Sequence, residues 1–426
     1  MEAFKKKRQQ FYQQIDEFWH DLYDTEYALF DVHYISQKTL ENIRLATERI
    51  GSIYKKTAKI LRQVPDETLL QLGFPKETLE FIRYCPIQID SVIARMDLIV
   101  NHEEIKLLEY NSDTPTFIKE SFNVNGKVCE AFGVEDPNRG YEAKLQQAIQ
   151  RAINLSLHSL NIKSRPNIVF SSHGDHEEDR YTTLYLQRLF GRESQYLSLN
   201  ELRLMDTSVM QEGEMLIEPG LYDREGRKID LLYRQTYPIE HLIDDRDPIS
   251  NENVGRILLK FVQDNQLAIL NPPSAFLCQS KAVMAVIWGL YEAKHPFLNS
   301  EELEWIKSYF LPTYLDDDFF ISQGIPYVRK PVFGREGDTV EIFNGSGEKI
   351  DTTKNQTYQD VLQVYQQFIE LPTTQIHTEQ GKKSAHYMFG SFYINGEASA
   401  IGIRAGAQIT DNESYFLPVG LVKGDE

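Results

Sequence analysis

A chain of 426 residues exceeds what one hydrophobic core ordinarily organises, so two or three packed units are expected. Hydrophobic residues at 41% and charged residues at 25% are ordinary for a globular protein, and no apolar run is long enough to span a bilayer. A net charge of −18 argues against nucleic acid or anionic membrane as the main partner; it serves solubility first and also suits a cationic substrate such as a polyamine.

The chain opens with MEAFKKKRQQ, a basic cluster with no apolar stretch behind it, which reads as a solvated helix start and not a targeting signal. Ile43, Ala46, Ile50, Ile53 and Ile60 recur at helical spacing and predict an amphipathic helix. ARMDLIVNHEEIKLLEYNSDTPT (94–116) then predicts a hairpin turning near Glu103. In that register Asp97 faces Glu109 and Arg95 faces Asn111, all on one side, with Met96, Leu98, Leu108 and Tyr110 on the buried side. Two carboxylates opposed across a ladder repel, and a divalent cation removes that cost. Oxygen donors from Asp97, Glu109 and Asn111 suit magnesium, with positions left for water and phosphate. The competing reading of this segment alone is a solvated face with an Arg–carboxylate pair, and a one-residue slip would part the two pairs. Thr114 and Thr116 flank Pro115 and either donate to an anion or only cap the turn.

A second amphipathic helix is predicted over 141–157, with Leu145, Ala148, Ile149 and Ala152 on one side. From about 165 to 271 the strand-like NIVFSS, SQYLSL, LLYRQT and LAILNP alternate with helical pattern such as TTLYLQRLF, which predicts a layered α/β unit with a parallel sheet. Pro272 and Pro273 mark its end. Beyond 274 the pattern is α+β: a helix near Lys281–Leu290, then hairpins, with Asn395-Gly396 as a two-residue turn. In KPVFGREGDTVEI (330–342), Lys330 precedes a loop whose Gly334 and Gly337 let backbone amides approach phosphate, although a lone glycine loop is also an ordinary hairpin device. Lys281 opens an apolar helix and Arg404 ends a strand of small apolar neighbours; each needs an anion unless it reaches solvent. Cys85, Cys129 and Cys278 lack metal-ligand spacing and fit free thiols in a reducing compartment. His173 and His386 have no placed partner and read as non-catalytic.

The segments 94–116, NPPSAFLCQSKAVMAVIWGL (271–290), YVRKPVFGREGDTVEI (327–342), VYQQFIELP (364–372) and AIGIRAG (400–406) together resemble the glutathionylspermidine synthase family, whose synthetase domain is a circularly permuted ATP-grasp ligase. The resemblance implies mixed α/β and α+β architecture. A helix-rich N-terminal part with the metal-binding hairpin would span 1–164, a layered pre-ATP-grasp α/β substrate domain 165–273, and the ATP-grasp nucleotide-binding part 274–426. It implies Mg2+ on Asp97, Glu109 and Asn111, with Arg95 and Arg404 facing the reacting phosphate. ATP would lie on Lys281 and Lys330, under a mobile loop of Gly334, Arg335, Glu336 and Gly337, with adenine beside Gln366. Thr114 and Thr116 fall where the family grips its carboxylate, and Glu177 or Glu178 looks like its acidic substrate contact. The family's K-T-W-x-W-E stretch appears as RQTYPIE (234–240), which keeps Thr236 and Glu240 but neither tryptophan and leaves both substrates open. The family's N-terminal amidase domain has no room here, so only ligation is implied. The expected activity is that of a cytoplasmic ligase joining a carboxylate to an amine through an acyl phosphate. The alternatives are an ATP-grasp kinase that stops at phosphoryl transfer and a non-catalytic nucleotide or peptide binder.

Overall fold

The apolar stripe near the N-terminus becomes the helix Gln37–Leu61, capped by Ser36, whose side chain accepts from the Thr39 amide. The structure is a computed structural model that describes residues 2–422 apart from 102, 103, 163, 164, 192, 208, 212, 213, 336 and 412; the expected turn centre at Glu103 and the candidate Glu336 therefore lie outside the described residues. Ile43, Ala46, Ile50 and Ile53 are buried on this helix, while Ile60 sits half-buried at its edge. Gly51 lets the helix lie close on the sheet below, because a Cβ there would meet the Tyr393 ring at 2.3 Å.

That sheet is antiparallel and six-stranded among the described residues. Its order is Tyr415–Leu417, Glu397–Gly406, Gly381–Ile394, Ile93–Val100 and Ile105–Asn111, with Thr373–Thr378 pairing along the first half of Gly381–Ile394. Asn395 and Gly396 turn the long hairpin with φ of 52° and 92°, the left-handed pair that a two-residue turn demands. The central strand Ile93–Val100 is buried along its whole length. Met96, Leu98, Phe389, Ile401 and Ile403 join the core beneath the helix Gln37–Leu61. Ile93, Phe392, Ile394 and Ala400 join a second core with Leu145, Ala148, Ile149 and Ala152 of the helix Tyr141–Ser159. Asp97 pairs with Gly390, so one sheet unites a segment near residue 100 with one near 390.

The α/β unit takes the expected form. Ala268–Leu270, Leu231–Gln235, Ile168–Ser172 and Gln195–Ser198 lie in that order, all parallel, with the helix Glu177–Phe190 crossing from the third to the fourth. Neighbouring strands run out to opposite sides of Ile168–Ser172, so a crevice opens beyond its carboxyl end. A third sheet, antiparallel, has the order Thr313–Tyr314, Gln363–Gln367, Tyr327–Pro331, Glu341–Phe343 and Lys349–Thr352, backed by the helix Ala282–Glu292. Among the described residues no helix is long and apolar enough to cross a membrane.

Candidate active site

The hairpin register is the one the alternation predicts: Arg95 pairs with Asn111 and Asp97 with Glu109. One detail differs. The register shifts between Asp97 and Leu98, so Leu107, not Leu108, joins Leu98 on the buried face. Leu108 is bulged out. Its carbonyl now accepts from Lys330 Nζ at 2.8 Å, and its side chain packs beside Ile99, Leu371 and Met388.

Arg95 binds its own strand neighbour with both arms, Nε to Asp97 Oδ1 at 2.7 Å and Nη2 to Oδ2 at 2.9 Å, and donates from Nη1 to the Thr116 carbonyl at 3.1 Å. Gly390 leaves space for that guanidinium stem, and Gly402 for the Phe117 ring, which a Cβ would meet at 2.4 Å. Burial and the facing Glu109 push Asp97 up despite Arg95. Burial would push Glu109 up as well, but Lys281, Asn111 and Lys330 outweigh it and hold its carboxyl well below the usual range.

Lys281 and Lys330 reach this face from the third sheet's side. Lys281 Nζ lies 3.1 Å from Glu109 Oε2 and donates to the Gly334 carbonyl at 2.7 Å. Lys330 Nζ also donates to Gln366 Oε1 at 2.7 Å, and burial, with Lys281 nearby, lowers it to about 7. Between the sheets runs a slot of about 120 Å³ whose walls include Asp97, Glu109, Lys281, Lys330, Gln366 and Arg404. Val328, Ile342, Phe368, Ile369 and Met388 supply an apolar lining that the sequence reading missed. For Val328, Ile342 and Met388 the only signal was alternation along strands whose partner was not known; Phe368 and Ile369 follow the strand Gln363–Gln367 in the VYQQFIELP segment.

Beyond the metal-type face, Thr114, Thr116, Arg335 and Arg404 converge with Arg95 and Asn111 on a smaller pocket of about 80 Å³. Arg335 donates to Thr114 Oγ1 at 2.6 Å, and Arg404 to the Asp411 carbonyl at 2.9 Å. This pocket opens into a cleft of about 1190 Å³ at the crevice of the parallel sheet, with Thr236, His173, His241, Tyr237 and Glu178 on its walls. Glu178 enters the cleft; Glu177, one residue earlier on the same helix, is exposed outside it. Gly337, at φ 72°, brings the glycine loop against Thr410. His173, read as uninvolved, lines the cleft against Tyr237, with ring centroids 4.6 Å apart. His386 instead binds the Leu371 carbonyl.

Among the described residues no three His, Cys, Asp or Glu side chains gather as a metal cluster. The candidate set is two carboxylates and an amide: Asn111 Nδ2 donates to Glu109 Oε1 at 3.0 Å and lies 3.5 Å from Asp97 Oδ2. An amide that rotates to present its oxygen would complete an all-oxygen edge, so the donors fit a hard divalent cation whose remaining positions go to water and phosphate.

A family model described as glutathionylspermidine synthase preATP-grasp matches residues 2–422. A Haemophilus influenzae protein with the provisional name acid–amine ligase is 24% identical over 331 residues, covering 76% of this chain and 73% of that protein. The trypanothione synthetase of Crithidia fasciculata is 22% identical over 397 residues, 89% of this chain and 55% of the synthetase, so the chain spans about half the length of that relative. Among solved structures, a glutathione synthetase-like effector of Globodera pallida shares the fold, with a TM-score of 0.60 at 11% identity, covering 99% of this chain and 96% of that one.

Proposed function

Because the chain belongs to the glutathionylspermidine synthase preATP-grasp family, a family of ATP-dependent carbon–nitrogen ligases with an ATP-grasp-type fold, we propose that it joins a small carboxylate to an amine through an acyl phosphate. One observation carries the reading. Asp97, Glu109 and Asn111 share a face of the hairpin, and Lys281, 3.1 Å from Glu109, links that face to the slot and the glycine loop.

Lys281 and Lys330 take the nucleotide phosphates, and the apolar slot beside Gln366 takes the base. Asp97, Glu109 and Asn111 would hold magnesium, which supplies charge neutralisation to the phosphates when bound. Thr114, Thr116 and Arg335 orient the carboxylate, while Glu178 and Thr236 face the cleft from which the amine arrives. Carboxylate oxygen attacks the γ-phosphorus and ADP leaves. Amine nitrogen then attacks the acyl carbon and phosphate leaves. Arg404 and Arg95 stabilise the transferred group by position and charge, so no covalent enzyme nucleophile is required. In this reading 1–164 supplies the metal hairpin, 165–273 the substrate cleft and 274–426 the nucleotide grip. The free Cys85, Cys129 and Cys278 suit a cytoplasmic setting.

The test is a matrix of carboxylates and amines incubated with ATP and read by mass spectrometry, with glutathione and spermidine, the pair in the family's name, tried first. ADP that appears only when both partners are present supports the ligase. ADP with one partner and a phosphorylated product would make the protein a kinase, and nucleotide bound but never cleaved would make it a binder.

A further inference from the structure

Amide formation sheds a proton from nitrogen, and two of the carboxylates nearest the reacting face are committed. Arg95 holds both Asp97 oxygens, and Lys281 and Asn111 hold Glu109. Tyr27 lines the same small pocket as Arg95, Thr116 and Arg404. Its carbonyl accepts from the Phe416 amide at 2.9 Å, which fixes the residue on the edge of the six-stranded sheet. The Tyr27 hydroxyl donates to Glu120 Oε1 at 2.6 Å. Glu120 is fully buried, and its Oε2 has no hydrogen-bond partner among the described residues. The adjacent Lys119 ammonium is spent on the carbonyls of Asp16 and Glu17.

The backbone that places Glu120 is unusual twice over. Phe117 has a φ of 75°, a left-handed value that bulky residues rarely take, and Glu120–Val124 form a π-helical turn. Such departures persist where the surrounding structure enforces them, and they cluster at functional sites. A buried carboxylate with no salt bridge among the described residues is also a stronger base than an exposed one, and burial raises Glu120 above its ordinary range despite the Tyr27 hydroxyl and the charges of Lys119 and Arg95.

We propose that Tyr27, backed by Glu120, is the proton relay of the amide-forming step. The proposal rests on the ligase reading above. The free amine attacks the acyl carbon, the C–N bond forms, and the C–O bond to phosphorus breaks, with its electron pair leaving on inorganic phosphate. The nitrogen proton passes to the Tyr27 oxygen as the Tyr27 proton passes to Glu120 Oε1. The same hydroxyl returns that proton to water before the next cycle. Tyr27 is the catalytic residue, and Glu120 acts through it.

The experiment uses the full chain with the carboxylate–amine pair found by the substrate matrix. It compares wild type, Tyr27→Phe and Glu120→Gln, all near-isosteric. Each is assayed twice: for amide with the true amine, and for hydroxamate with hydroxylamine, a weakly basic nucleophile that sheds its proton easily. The relay requires amide formation to fall about 10²-fold or more in both variants while hydroxamate formation stays within about threefold. Unchanged amide formation would overturn it, and so would a parallel fall of both products, which would assign the pair to pocket structure or to phosphoryl transfer. An active wild type with indifferent variants removes the relay alone. A wild type that joins no pair removes the ligase reading and the relay with it.

Discussion

Glu109 is the residue at which the metal face and the lysine side meet, held by Lys281 at 3.1 Å and by Asn111 at 3.0 Å. Replacing it with Gln keeps its shape and removes the charge that a cation would use. Glu109→Gln should lower turnover about 10²-fold or more, and because it leaves buried Lys281 without its anionic partner it should also lower the melting temperature, while helix and strand content stays as in wild type; equal activity would remove Glu109 from the site. Arg404→Ala should cut turnover by about 10²–10³-fold and nucleotide affinity much less, since a charge aimed at the transferred group acts mainly in the transition state. The reverse pattern, read by kinetics and nucleotide titration, would place Arg404 on ground-state phosphate. Glu240 makes a pH prediction. Both its oxygens are buried without hydrogen-bond partners among the described residues, and burial pushes its carboxyl up to about 8 despite Arg335. A raised folded pKa means stability that is present below the unfolded value, near about 4.3, and lost as pH rises through 8. Glu240→Gln should therefore melt like wild type at pH 4 and several degrees higher at pH 8.5; identical melting at both pH values would show the carboxylate to be well solvated.

At the scale of elements, the bulge in the hairpin decides which leucine is structural. Without it Leu108 would be core and its carbonyl would not meet Lys330; with it the strand supplies an apolar wall and a hydrogen-bond acceptor to the slot. The glycine loop is equally constrained. At Gly337, φ is 72° and a Cβ would meet the Thr410 carbonyl oxygen at 2.3 Å. Gly337→Ala should strain the loop by about 1–2 kcal/mol and weaken nucleotide binding by roughly tenfold, measured by calorimetry, without loss of overall helix and strand content. Unchanged affinity would mean that the loop does not need this close approach.

For the whole molecule, the critical junction is where the parallel sheet meets the hairpin. Asn271, buried at the end of Ala268–Leu270, accepts from the Val92 and Ile93 amides at 2.8 and 3.1 Å and donates to the carbonyls of Ile93, Ser112 and Asp113 at 2.8, 3.0 and 2.7 Å. Asp113 is tied again, to buried Arg234, at 2.5 Å. One amide thus locks the α/β unit to both strands that carry Asp97 and Glu109. Asn271→Ala would orphan several buried backbone groups and should destabilise the protein by about 3 kcal/mol, seen as a lower melting temperature together with loss of activity. A variant that melts normally would refute this joint.

Periodicity alone carried much of the architecture. The alternation around residue 100 determined that Arg95, Asp97, Glu109 and Asn111 share a face, and the 165–271 pattern determined a parallel α/β layer, because both depend only on which side chains point the same way along one local element. The bulge at Leu108, the partnership of Lys281 with Glu109, the apolar slot around Met388, the pairing of Tyr27 with Glu120 and the role of Asn271 were decided by tertiary structure. Each joins residues that are distant in the chain, or shifts a register by one, and a single sequence encodes such contacts only through packing against partners that local spacing cannot name.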